Sequence, residues 1–214
     1  SKEVRESILD GSYKYCNETQ CPYLSGLKNN NLSKKFIKKD KKIINNLRSN
    51  VEIKTVNFCF DRSCNFQCPS CRNELINYYG KDREQVEVKL KEITDEISST
   101  VKILYLTGTA DPFYSKSFRE FLEKLDSTKF KKLESIHLHT NGSLWNEKMW
   151  NRLSAIHPYV KTCEISIDAG TKKTYETKTR IGGKWDVLLE NLKFITTIDT
   201  IQFFSFSFVV QDSN

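Results

Sequence analysis

From Thr55 onward two kinds of apolar pattern alternate along the chain, and that alternation limits the fold more than any other feature. TVNFCF (55–60) reads as a strand. EQVEVKLKEITDEISS (84–99) then sets Val86, Leu90, Ile93 and Ile97 on one helix face. VKILYLT (101–107) is a second strand, and Phe118, Phe121, Leu122 and Leu125 mark the next helix. LESIHLHT (133–140) is a third strand, followed by a helix carrying Met149, Trp150 and Leu153. VKTCEISID (160–168) is a fourth, and Trp185, Leu188, Leu189, Leu192 and Ile195 stripe a further helix. IQFFSFSFVV (201–210) is a fifth, expected to be buried. Five strands separated by helices predict an α/β fold with a parallel sheet, because each crossover returns the chain to start the next strand in the same direction. An open sheet and a barrel both fit. Residues 1–54 stand outside the alternation and are expected to form an N-terminal appendage to a core of 55–214.

With 214 residues, 38% hydrophobic and 29% charged, the chain can build one sizeable core and reads as a soluble globular protein. Its longest apolar stretch, FFSFSFVV (203–210), is too short to span a bilayer. The first fifteen residues are polar and carry no export signal, so no membrane partner and a cytoplasmic location are expected. A chain that starts at Ser1 and has one methionine, Met149, is expected to be a piece of a longer protein. Much of the net charge of +7 sits in LSKKFIKKDKKIINNLR (32–48), which reads as a solvated helix face or linker rather than a phosphate-binding strip.

In parallel α/β folds ligands gather at the carboxyl ends of the strands. Those ends read RSCNFQCPSC, TGTADPF, HTNGS, IDAGT and VVQDSN, all polar, glycine-bearing or cysteine-bearing. Strand alternation puts His137, His139 and Asn141 on one side, and Glu164, Ser166 and Asp168 likewise, as expected beside a charged ligand. His137, His139 and Glu164 are candidates to line a substrate path.

CNFQCPSC (64–71) packs three of the seven cysteines into eight residues. An odd count without an export signal favours metal over disulfides. Structural zinc takes four ligands from two separated pairs, and CPSC is the sole CxxC pair. A redox CxxC would leave Cys64 unexplained. Three thiolates from one loop can hold three irons of a cubane cluster and leave the fourth iron open to a substrate or cofactor. Cys59 and Cys163, inside strands, read as small core residues.

Cys64-x3-Cys68-x2-Cys71, in the loop after the first strand, resembles the signature of the radical S-adenosylmethionine (SAM) enzymes, and the resemblance runs strand by strand over about 55–214. Gly108, Thr109, Ala110 and Asp111 precede Pro112 where that family often has Gly-Gly-Glu-Pro, a departure tolerable in a stretch that meets SAM mostly through backbone. HTNGS (139–143), with Asn141, matches the end of the third strand. EISIDAGT (164–171) matches the fourth, whose Ser166 and Asp168 would approach the SAM ribose and carboxylate. Arg180, ahead of Gly182 and Gly183, would pair with the SAM carboxylate as a fork. Adenine would lie by the Phe66–Ser70 loop.

The resemblance implies a partial TIM-like barrel of six βα units, of which five are visible. It implies a [4Fe–4S] cluster on Cys64, Cys68 and Cys71, with SAM on the open iron. Reductive cleavage would yield a 5′-deoxyadenosyl radical that takes hydrogen from a peptide or protein side chain, or from a sugar. A flavodoxin or ferredoxin would supply the electron. GSYKYC (11–16), followed by Cys21-Pro22, is similar to part of the SPASM extension. Cys16 and Cys21 would then help to hold an auxiliary iron–sulfur cluster with further ligands. Two rivals stand beside this reading: a basic zinc-binding nucleic-acid module, and a cluster-carrying relative without activity.

Overall fold

The computed structural model describes residues 2–9, 12–15, 52–106, 109–212 and 214. The chain divides into two compact units, Ser1–Glu52 and Ile53–Asn214. In the first, α1 (Lys2–Leu9) is followed by a turn in which the Tyr13 amide donates to Ser7 O at 3.0 Å. The expected basic helix at 32–48, together with Cys16 and Cys21, lies outside the described residues.

The second unit runs β1 (Thr55–Phe58), α2 (Gly80–Ile97), β2 (Ile103–Leu106), α3 (Lys116–Glu123), β3 (Ser135–Thr140), α4 (Glu147–Arg152), β4 (Val160–Ser166), the short turn α5 (Lys172–Thr174), α6 (Trp185–Ile195) and β5 (Phe203–Ser207). All neighbours pair in parallel and the strand order is the chain order, β1 to β5. With right-handed crossovers, a sheet that always grows from the same edge keeps its helices on one side. The sheet is open, with β1 and β5 at its two edges.

Packing distinguishes the two faces. Phe58, Leu106, Leu138 and Cys163 form one lateral row and are fully buried. They share a core with Val86, Leu90 and Ile97 of α2, Phe118 and Leu122 of α3, Trp150 of α4, and Leu188 and Ile195 of α6. Each such side chain contributes roughly 1.5–3 kcal/mol by leaving water. The opposite face carries the row Tyr105, His137 and Thr162, and above it His139, Glu164 and Ser205, all half-buried.

Two expectations need correction. The fifth strand is not buried: Phe203 and Phe206 are 62% and 55% exposed, because β5 is an edge strand. Cys59 is exposed rather than a core residue, since β1 ends at Phe58 and the chain turns into the cysteine loop. Cys163 is buried as expected, and burial pushes its thiol up to about 12. No helix among the described residues is long and apolar enough to cross a membrane.

Candidate functional site: a three-cysteine recess at the carboxyl ends of the strands

The cysteine loop is held at both ends by backbone. The Cys64 amide donates to Ile76 O at 2.9 Å, a single antiparallel bridge that closes the loop. The amides of Cys71 and Arg72 both donate to Cys68 O at 2.9 Å, so CPSCR makes one helical turn. That turn brings Cys68 and Cys71 to the same side of the loop. The three cysteines line one recess with Arg72, Ala110, Asp111, His139, Thr140, Asn141, Ser166 and Arg180. All described cysteines are free thiols.

Asp111 ties this loop to the sheet. Its Oδ1 accepts the Phe113 and Tyr114 amides at 3.0 and 3.1 Å, and its Oδ2 accepts Thr140 Oγ1 and the Asn141 amide at 2.6 and 2.9 Å. Its own amide donates to Ser63 O at 2.9 Å. Burial raises its pKa, and the four hydrogen bonds work against that rise. The carboxylate thereby joins the β2 loop to the end of β3, and the backbone amide of the same residue holds the start of the cysteine loop.

Arg180 is delivered by unusual local geometry. After α5 the helix widens into a π-turn, Tyr175–Thr179, where the Arg180 amide donates to Tyr175 O at 2.8 Å. π-turns recur at functional sites because they displace one residue from the regular helical path. The turn is followed by Gly182 at φ +97°, and by Gly183, where a Cβ would stand 2.6 Å from Tyr175 Cε1 and 2.8 Å from Phe66 Cζ. Only glycine fits under the Phe66 ring there. The Arg180 guanidinium pairs with Asp168 Oδ2 at 2.7 Å and donates to Cys68 Sγ at 3.5 Å. Asp168 is itself at φ 52° and accepts the Val209 amide at 2.7 Å.

Each cysteine sulfur meets one N–H donor from outside the ligand set. Asn141 Nδ2 stands 3.8 Å from Cys64 Sγ, Arg180 Nη1 3.5 Å from Cys68 Sγ, and Arg72 Nη2 3.5 Å from Cys71 Sγ. Asn141 is held by Asn65 and Ser143, which hydrogen-bond to it and to each other at 2.6–2.9 Å. Burial, reinforced by Asp111, pushes the Cys64 thiol up to about 11, and burial also raises Cys68. Deeper in, His139 Nε2 lies 2.8 Å from Ser166 Oγ and 3.5 Å from Glu164 Oε1. Burial lowers the pKa of His139, while Glu164 opposes it. His137 Nδ1 meets Thr162 Oγ1 at 2.7 Å.

Of the residues singled out in the sequence, Cys64, Cys68, Cys71, Asp111, Asn141, Ser166, His139 and Arg180 come together around the recess, and Asp168 joins through its ion pair. Phe66 does not line it: its ring is buried against Tyr175 at a centroid distance of 6.3 Å, leaving only its backbone on the loop. Ser70 is exposed and sits with Pro69, Asn73 and Glu74 around an adjoining hollow that shares Cys71 and Arg72 with the recess. The Thr109 hydroxyl is committed to Cys59 O and Asp61 O at 2.6 and 2.7 Å. Gly108 lies outside the described residues. Arg180 pairs with Asp168, a partner the sequence did not suggest. Sequence reasoning missed Arg72, whose one signal was its position directly after Cys71, and the Asn65–Asn141–Ser143 bracket, which joins residues far apart in the chain.

The donor set fits an iron–sulfur cluster. Three sulfurs surround a recess that also receives two guanidinium groups and an amide, suited to an anionic, sulfur-rich group. Among the described residues no group of three His, Cys, Asp or Glu converges on a single metal-ion position. In a cubane each cysteine binds its own iron, so such convergence is not required of these three.

The match to a known family agrees with this chemistry. The family model of the radical SAM superfamily matches residues 59–205. Over 98 residues the chain is 31% identical to a 7-carboxy-7-deazaguanine synthase of Aquifex aeolicus (strain VF5), a stretch that covers 45% of this chain and 40% of that protein. The chain thus matches less than half the length of that curated relative. Among solved structures, the crystal structure of BtrN in complex with AdoMet and 2-DOIA covers 72% of this chain and 56% of its own at 14% identity, with a TM-score of 0.40. Because the family model takes in the cysteine loop, the strands β2, β3 and β4 and the start of β5, the chain belongs to the radical SAM superfamily, whose cofactors are a [4Fe–4S] cluster and SAM.

Proposed function

We propose that this chain is the catalytic core of a radical SAM enzyme of the SPASM/twitch-associated branch, acting on a peptide or protein side chain or on a sugar. The observation that carries the reading is the single recess lined by Cys64, Cys68, Cys71, Asn141, Ser166 and Arg180. Cys64, Cys68 and Cys71 would hold the cluster. Cluster and SAM, when bound, would supply one-electron reductive cleavage chemistry that leads to hydrogen abstraction.

The chain's own residues orient and enclose. Asn141, Ser166, Arg180 and its partner Asp168 bind the polar groups of SAM. Asp111 and Thr109, with their side chains committed to internal bonds, present the backbone of the β2 loop, to which Gly108 belongs. Phe66 and Ser70 frame the adenine by backbone. The substrate lies on the half-buried polar face, where His137, His139 and Glu164 favour a ligand rich in hydrogen-bonding groups. A flavodoxin or ferredoxin in the cytoplasm delivers the electron. Cys16 and Cys21 contribute to an auxiliary cluster, as the likeness of residues 11–16 to the SPASM extension suggests.

The test is an EPR spectrum of the chain, reconstituted anaerobically with iron and sulfide and reduced, with and without SAM. A [4Fe–4S] signal that SAM perturbs, and that Cys68→Ala abolishes together with the bound iron, is the expected result. A signal indifferent to SAM would turn the reading into a cluster carrier. Colourless protein that binds zinc stoichiometrically would overturn it.

A further inference from the structure

Three N–H donors reach the three cysteine sulfurs, but their charges differ. Asn141 is neutral. Arg180 is cationic, yet its charge is matched by Asp168 at 2.7 Å. Arg72 is cationic and buried, and among the described residues no carboxylate lies within ion-pair reach of it. Its guanidinium cannot swing away. Nη1 donates to Arg62 O at 2.7 Å, and Nη2 to Thr109 O at 2.9 Å as well as to Cys71 Sγ at 3.5 Å. A guanidinium stays protonated throughout the accessible pH range.

A fixed, unneutralised cation beside a cluster sulfur favours whichever oxidation state is more negative. The attraction grows with the charge it faces and falls with the water between the charges; Arg72 is buried, whereas Cys71 is exposed. Hydrogen bonds and charges around the sulfurs are among the main determinants of an iron–sulfur potential. We propose that Arg72 is a positioning residue that sets the reduction potential of the cluster, its uncompensated charge stabilising the reduced form and raising the midpoint. This inference rests on the cluster reading above and concerns the outer environment of Cys71 alone.

The test is an EPR-monitored redox titration of the full chain, reconstituted and without SAM, comparing wild type with Arg72→Gln and Arg72→Lys. Glutamine keeps an N–H donor and removes the charge; lysine keeps the charge and loses the planar fork. The expected result is a midpoint shifted to more negative potential in Arg72→Gln and close to wild type in Arg72→Lys. An unshifted Arg72→Gln with a full cluster signal overturns the proposal, and so does a lysine variant shifted as far as the glutamine one. If Arg72→Gln fails to hold a cluster, the lysine variant decides: a wild-type midpoint supports the charge argument, and a negative shift overturns it. Cluster loss in both variants reduces Arg72 to a loop anchor. A wild-type chain with no [4Fe–4S] signal is a different failure, that of the cluster reading itself.

Discussion

The two faces of the sheet are built by different rules. Toward the helices, Phe58, Leu106, Leu138 and Cys163 stand in one row with no solvent exposure, and packing alone fixes them. On the other face the same strands present Tyr105, His137, His139, Thr162, Glu164, Ser205 and Ser207, held by side-chain hydrogen bonds such as His137–Thr162 at 2.7 Å and Ser166–Ser207 at 2.9 Å. In a filled (βα) barrel the inward positions are bulky and branched. Here they are polar and partly wet. One face contributes the stability of the fold, and the other is left free for recognition.

The comparison is tested most directly by neighbours in the same strand. Leu138→Ala removes a fully buried side chain, and a cost of about 2–5 kcal/mol is expected. His137→Gln, one residue away on the opposite face, removes one hydrogen bond and is expected to cost about 0.5–1.5 kcal/mol. Urea unfolding of both variants measures the difference. Equal costs would mean that both faces carry the fold alike.

A sharper probe sits where the apolar face ends. By alternation Thr140 follows Ile136 and Leu138 into the core, yet it is polar and donates to Asp111 Oδ2. Asp111→Asn offers one oxygen where two served four donors, so buried N–H or O–H groups lose their acceptor. A loss of about 1–3 kcal/mol is expected. Because the Asn141 amide is one of those donors, iron retention after reconstitution should fall as well. A variant as stable as wild type would show that the β2 loop and β3 are joined by packing rather than through this carboxylate.

The order of strands and helices could be read from the sequence because apolar periodicity reports which residues of an element are covered. The stripe Val86, Leu90, Ile93 and Ile97 is an example: three are buried in α2 and Ile93 is half-buried against the same core. Periodicity does not report whether a covering element exists, and so β5 was expected to be buried although Phe206 faces solvent. The cysteine loop could be read because its three sulfurs are local in sequence. The brackets that aim the site were not: Asn65 meets Asn141 and Ser143, and Arg180 meets Cys68, only once the sheet has brought distant loops together. Asp168 illustrates the same limit. Its place at the end of β4 marked it as a site residue, but its ion pair with Arg180 depends on the π-turn at Tyr175–Thr179, which no periodicity announces.

The polar face also leaves a signature in pH, the smallest of the expected effects. Burial lowers the pKa of both His137 and His139 below the ordinary 6.5, with Glu164 working in the opposite direction on each. In the unfolded chain both imidazoles return to about 6.5. As pH falls below that value the unfolded state takes up protons that the native state still refuses, so stability declines until the native imidazoles are protonated too. The raised pKa of Asp111 acts with the opposite sign, since its contribution is kept in acid and lost as pH rises through the folded value. Comparing wild type with the double variant His137→Gln/His139→Gln isolates the imidazoles from Asp111, which both proteins share. Urea unfolding at about pH 7.5 and about pH 5.5 should show wild type losing more stability toward acid than the double variant. The two groups sit against Tyr105, Thr162, Glu164, Ser166 and Ser207, none of which the substitutions remove. Parallel declines would mean that this face is wet enough to protonate in the native state, and the contrast between the two faces would then be one of packing alone.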